Sequence, residues 1–175
     1  MNWDTVGTSA ADGTPTQIDE HTCCKMDNKV VVFGGFNDGE RTNDVHIFDT
    51  DACQWTKRSP VDANAPAPKP RAGHSATLHE GILYIFGGKD DENLKLNDIW
   101  KFDIEQREWT ELEPSNSQQA PTERAGHSAL LYQGYICIFG GIFEVTKELN
   151  DFHLYDIENN RWICLFSEKV EPVSA

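Results

Sequence analysis

Residues 71–88 read RAGHSATLHEGILYIFGG, and residues 124–141 read RAGHSALLYQGYICIFGG. Residues 18–35, IDEHTCCKMDNKVVVFGG, form a looser third copy. Self-similarity at a fixed period marks a repeat architecture, and it governs how every local segment is read. The glycine pairs Gly34-Gly35, Gly87-Gly88 and Gly140-Gly141 recur every 53 residues. A histidine stands upstream of each pair (His21, His74, His127), and an Asn-Asp pair follows (Asn43-Asp44, Asn97-Asp98, Asn150-Asp151). A later aspartate (Asp49, Asp103, Asp156) and a tryptophan (Trp55, Trp109, Trp162) complete each unit.

Between these landmarks run short β-branched and aromatic segments: VVVF, LYIF and ICIF before the glycines, then VHIF, IWKF and FHLY before the later aspartate. Bounded by Gly, Asn, Asp and Pro, they read as strands, and no 3.6-residue apolar period persists over helical length. Each unit then holds four strands: one from the histidine, one ending at the glycine pair, one after Asn-Asp, and one carrying the tryptophan. Four antiparallel strands per repeat of about 50 residues is the pattern of a β-propeller blade. The glycine pair permits positive φ and close approach of a large ring, which this reading assigns to the tryptophan. Asn-Asp fixes the turn into its strand through its own backbone, and the later Asp fixes the turn between third and fourth strands.

The set R-x-GHS, apolar-FGG, ND-apolar, FD, W resembles the kelch repeat over nearly the whole chain. The resemblance implies an all-β fold: a partial kelch propeller of three four-stranded antiparallel blades, at 18–57, 71–111 and 124–165. Residues 1–17 then hold the last strand of a preceding blade, near Asn2–Thr5, and a linker; residues 166–175 lead toward a further blade. Three blades cannot close a ring, which needs at least four. The expectation is a segment of a longer array whose open blade edges can self-associate. The first repeat carries Ile18 and Glu20 where the others carry Arg71 or Arg124 and Gly73 or Gly126, so a role of that arginine is not threefold.

The 175 residues include 29 Asp or Glu against 15 Lys or Arg, a formal charge of -14. That sign repels nucleic acid and anionic membrane surfaces. No apolar run approaches the ~20 residues of a membrane span, and the N-terminal residues lack the basic and apolar regions of a secretory signal. Five cysteines without a CxxC pair, and no N-x-S/T acceptor, point to a reducing, cytoplasmic setting with the nucleus also open.

Catalytic and cofactor chemistry is not expected. Histidines repeated at one blade position disperse around an axis instead of converging on a metal. Cys23 and Cys24 follow His21 as a nucleophile might, but Cys23 aligns with Ala76 and Ala129 and reads as a small buried side chain. The run Asp90-Asp91-Glu92 reads as solvated loop acids. No zinc, copper or phosphatase motif set occurs in the chain.

Binding remains. The loops between second and third strands, FNDGERT, KDDENLKL and IFEVTKEL, share one rim with the blade linkers, and such loops carry function. Partner-binding candidates there are Arg41, Arg71, Lys89, Asp91, Arg124, Ile142, Phe143 and Glu144, with Arg71 and Arg124 also read as bonding carbonyls of a neighbouring blade. The expected function is a protein-interaction scaffold. Two alternatives stand beside it: the substrate-binding kelch region of a Ser/Thr phosphatase with its catalytic domain elsewhere, and a sector of a galactose-oxidase-like metalloenzyme.

Overall fold

The structure, a computed structural model, describes residues 13–167. The strand expected at Asn2–Thr5 and the tail beyond Ser167 lie outside the described residues. The described residues form twelve strands in three four-stranded antiparallel sheets. The first sheet holds β1 (Thr22–Met26), β2 (Lys29–Asn37), β3 (Glu40–Asp49) and β4 (Gln54–Lys57). In the second are β5 (Ser75–His79), β6 (Ile82–Lys89), β7 (Lys95–Asp103) and β8 (Glu108–Leu112). The third comprises β9 (Ser128–Tyr132), β10 (Tyr135–Phe143), β11 (Lys147–Asp156) and β12 (Arg161–Phe166). Strands neighbour one another in chain order within each sheet, as in kelch propeller blades.

The second strand does not stop at the glycines. It runs through them with a register shift between Phe33 and Gly35, repeated between Phe86 and Gly88 and between Phe139 and Gly141. Both glycines of each pair have positive φ, and the bulge they make lets pairing resume beyond it, Gly35 with Thr42 and Phe36 with Arg41. FNDGERT is therefore a hairpin extension with Asp38 and Gly39 at its tip, both at positive φ.

The ring accommodated by the glycines is a histidine, not the tryptophan. A Cβ on Gly34 would lie 2.6 Å from His74 Cε1, and one on Gly88 would lie 2.8 Å from His74 Cβ. The first glycine thus admits the next blade and the second admits its own inner strand. The later aspartates act as expected: Asp49 and Asp103 each accept two backbone N–H bonds across the turn that follows, and Asp156 accepts one from Asn159.

The core lies between blades, because each sheet is apolar on both faces and its side chains alternate between them. Val31, Phe33, Val45 and Ile47 of the first sheet pack against Leu83, Ile85, Phe102 and Trp109 of the second. Tyr84, Phe86 and Ile99 of the second pack against Ile136, Ile138, Tyr155 and Trp162 of the third. Phe33 meets Trp109 and Phe86 meets Trp162, each pair 5.2 Å between ring centroids.

Candidate interaction surface

Arg71 and Arg124 close the second and third blades at their entries. Their backbones bond the preceding blade: Arg71 N–H donates to Thr42 and Arg124 N–H to Leu96. Their guanidinium groups turn into their own blade. Arg71 Nη1 and Nη2 each lie 2.7 Å from the Asp98 carboxylate, and Arg124 makes the same two-pronged contact with Asp151 at 2.6 and 2.7 Å. Each also donates to the first glycine carbonyl, Gly87 or Gly140. Both arginines are 0% exposed, which corrects their reading as partner-binding residues: the planar fork is saturated by carboxylate and carbonyl. The carbonyl bonded by the guanidinium belongs to the arginine's own blade, which corrects the neighbouring-blade expectation for the side chain. The aspartate of Asn-Asp serves as the arginine's counter-ion instead of capping its own turn. Where the first repeat has Ile18, Asp44 pairs with Lys57 at 2.7 Å.

The histidines link blades. His74 Nε2 lies 2.8 Å from Thr22 Oγ1, and His127 Nε2 lies 2.8 Å from Ser75 Oγ. With Nδ1 unpartnered in both rings, the proton belongs on Nε2, which donates to the hydroxyl oxygen. Burial, reinforced by the Arg71 and Arg124 charges, lowers His74 from 6.5 to about 3 and His127 to about 4. A depressed histidine pKa means that the unfolded chain takes protons which the folded chain refuses. The stability is complete above about pH 6.5 and falls as pH drops from there through about 4 and then about 3. At pH 5 this amounts to at most about 2 kcal/mol per histidine. Urea unfolding at pH 7 and pH 5 should show the loss, and His127→Gln should flatten the profile.

The remaining candidates lie on the rim. Arg41 is in β3, and it lashes the first hairpin to the next blade's loop: its Nη2 donates to Asn93 Oδ1 at 2.7 Å and its backbone N–H to Asp91 Oδ1 at 3.0 Å. Its guanidinium sits over the Phe36 ring. Asp90 is buried, not solvated. Burial alone would raise its pKa, but Lys69 at 3.0 Å and the Leu94 and Glu92 N–H groups hold it below the usual carboxylate value. Lys89 pairs with Glu20 at 3.2 Å, and Lys95 Nζ donates to the Glu144 carbonyl. Phe143 is half-buried under Lys147, whereas Ile142 is 40% exposed and Val145 stands clear.

Lys89, Lys95 and Ile142 converge on a cleft of about 380 Å³, floored by Gly73 and Gly126 and edged by Glu20. It spans the entries to all three inner strands. Larger hollows of about 460 and 500 Å³ lie beside Asn150–His153 and between the His79 and Gln133 turns, but neither joins all three blades. The sequence reading missed Lys95, although its place in KDDENLKL is as prominent as that of Lys89. Cys23 is exposed instead of buried, while burial pushes the Cys24 thiol up to about 11, away from a nucleophilic thiolate. Among the described residues no three His, Cys, Asp or Glu side chains gather as a metal site, and no helix is long and apolar enough to cross a membrane.

A family model described as the KLHDC2/KLHL20/DRC7 Kelch-repeats domain matches residues 20–174. The chain is 32% identical over 167 residues to the Rho GTPase-activating protein gacHH of Dictyostelium discoideum, covering 93% of this chain and 11% of that protein. It is 32% identical over 166 residues to Kelch domain-containing protein 3 of Homo sapiens, covering 88% and 42% respectively. With acyl-CoA-binding domain-containing protein 5 of Arabidopsis thaliana it shares 32% over 144 residues, 81% of this chain and 21% of that protein. The chain thus spans less than half the length of these relatives.

Proposed function

We propose that this chain, which belongs to the kelch-repeat domain family of KLHDC2, KLHL20 and DRC7, is a non-catalytic interaction module on which a partner protein docks at the rim cleft. Kelch membership indicates protein–protein interaction in general; the choice of surface rests on one observation. The buried arginine clamps and histidine links commit the blade entries to the scaffold, whereas Ile142 stays exposed beside Lys89 and Lys95 at a cleft shared by three blades. An exposed apolar side chain flanked by cations, in a chain of charge -14, fits a partner segment that carries an apolar anchor and acidic neighbours.

Relatives whose names carry such different activities as GTPase activation and acyl-CoA binding share this stretch, which fits an array that contributes binding and leaves chemistry to other parts of those proteins. The test uses the full-length protein carrying Ile142→Asp and Val145→Asp, two exposed positions whose change leaves the clamps intact. Affinity for partners recovered with the unaltered protein should drop about tenfold or more, with thermal unfolding unchanged. Unaltered affinity would reject this surface.

A further inference from the structure

The hollow of about 500 Å³ lies between the second and third sheets, at the ends of the strands remote from the rim cleft. The β5–β6 turn of the second sheet borders it on one side, and the β9–β10 and β11–β12 turns of the third border it on the other. Those last two turns are held together by the Ile157 N–H, which donates to the Gly134 carbonyl at 3.2 Å. Ile82, Tyr135 and Ile157 give the hollow apolar walls, and Glu80, Asp156 and Glu158 give it acids.

The acids alone would not make a site. Asp27 and Glu105 stand 53 residues before Glu80 and Glu158, so acidic turns are shared by the blades, and such side chains are ordinarily just solvated. What distinguishes this boundary is Tyr84. Its counterpart at the first boundary is Val31, 1% exposed and packed in the apolar core. Tyr84 is 9% exposed and lines the hollow. Among the described residues its hydroxyl has no hydrogen-bond partner, because Tyr155, beside it in the core, donates its own hydroxyl to Asn160 at 2.7 Å. A polar group so enclosed is normally completed by something that bonds it. Burial, reinforced by the Glu80 charge, raises the Tyr84 pKa above its ordinary value, so the phenol stays neutral and its oxygen can accept.

The acids differ in what they have left to offer. Asp156 is satisfied, accepting from Asn159 and from Arg161 Nε at 3.1 Å. Glu80 and Glu158 are exposed, and among the described residues neither is ion-paired. The surroundings therefore combine acceptors, uncompensated negative charge and apolar walls, which oppose an anion and suit an amphipathic cation.

We propose that this hollow binds a small free organic cation, an alkylammonium or alkylguanidinium, whose N–H groups donate to the Tyr84 oxygen and to the Glu80 and Glu158 carboxylates. Ile82, Tyr135 and Ile157 cover its carbon chain. The volume falls within the roughly 300–1,000 Å³ of small-molecule sites, room for a whole molecule and not merely for one side chain of a docked protein.

Calorimetric titration of the full-length protein at low salt tests this with agmatine, which carries an ammonium at one end and a guanidinium at the other. Glutarate, of similar length and opposite charge, serves as the comparison. Agmatine should bind and glutarate should not. Tyr84→Phe should weaken agmatine binding about tenfold without lowering the unfolding temperature, since the hydroxyl it removes bonds nothing in the fold. Glu80→Gln combined with Glu158→Gln should weaken it further and remove most of its salt dependence. Absence of agmatine binding, equal binding of glutarate, or an affinity unchanged in either variant overturns the proposal. A short lysine-containing peptide that binds more tightly than agmatine overturns the assignment to a free ligand.

Discussion

Arg124→Ala destabilises the protein by about 3–5 kcal/mol, because it leaves the Asp151 carboxylate buried with only His153 for company. Two carbonyls, Gly140 and Thr122, lose a donor at the same time. For a chain of this size the change corresponds to a fall in Tm of about 10 °C. Arg124→Lys does not restore the loss, since a lysine cannot present two parallel N–H groups to one carboxylate. The double variant Arg124→Ala with Asp151→Ala costs less than the sum of the single changes, by a coupling of about 1–3 kcal/mol. Arg71→Ala follows the same pattern more mildly, because the Asp98 side chain is about twice as exposed as that of Asp151. Urea unfolding of the unaltered protein and of these variants, with Asp151→Ala completing the cycle, checks all of this, and strict additivity would show that the clamp is not a unit.

Trp162→Ala is of comparable size, about 3–5 kcal/mol, since a fully buried indole leaves a cavity that two flanking rings only partly fill. Those rings belong to different blades, Phe86 and Tyr155, so the damage concentrates at one boundary. Hydrogen exchange should accelerate in β6 and β10 while β2 keeps its protection, as expected where each repeat contacts only its neighbours. Trp55→Ala should cost distinctly less, because among the described residues Trp55 packs on Phe48 of its own sheet without an aromatic from another blade. Equal costs at both positions would contradict the boundary packing described above.

The fold was legible because its signals are local or periodic. Strand runs, the Asp49, Asp103 and Asp156 turns, and the repeat itself lie within a few residues or at a constant spacing. The glycine pair misled for a physical reason: two adjacent glycines free to take positive φ read as the end of a strand, yet the bulge they form lets β2 continue to Asn37. The clamp was hidden because its partners lie 27 residues apart. A trace of it was present, however, since the repeat lacking the arginine is also the one whose Asp44 has Lys57 available. The histidine links join residues 52 apart, across a blade boundary that no single-repeat reading resolves. On the rim, Ile142 was visible as an apolar residue after glycines, whereas the burial of Arg71, Arg124 and Asp90 depends on packing that local sequence does not encode.

Rigid blade entries and an exposed rim divide the labour of the molecule between its residues: conserving geometry falls to the clamps, and contact falls to the hairpin ends. A photo-cross-linking side chain at Ile142 tests that division most directly, compared with the same group at Gln133 on the opposite turns of the third sheet. Partner protein captured from Ile142 and not from Gln133 is the result predicted. Capture from Gln133 with none from Ile142 would contradict it.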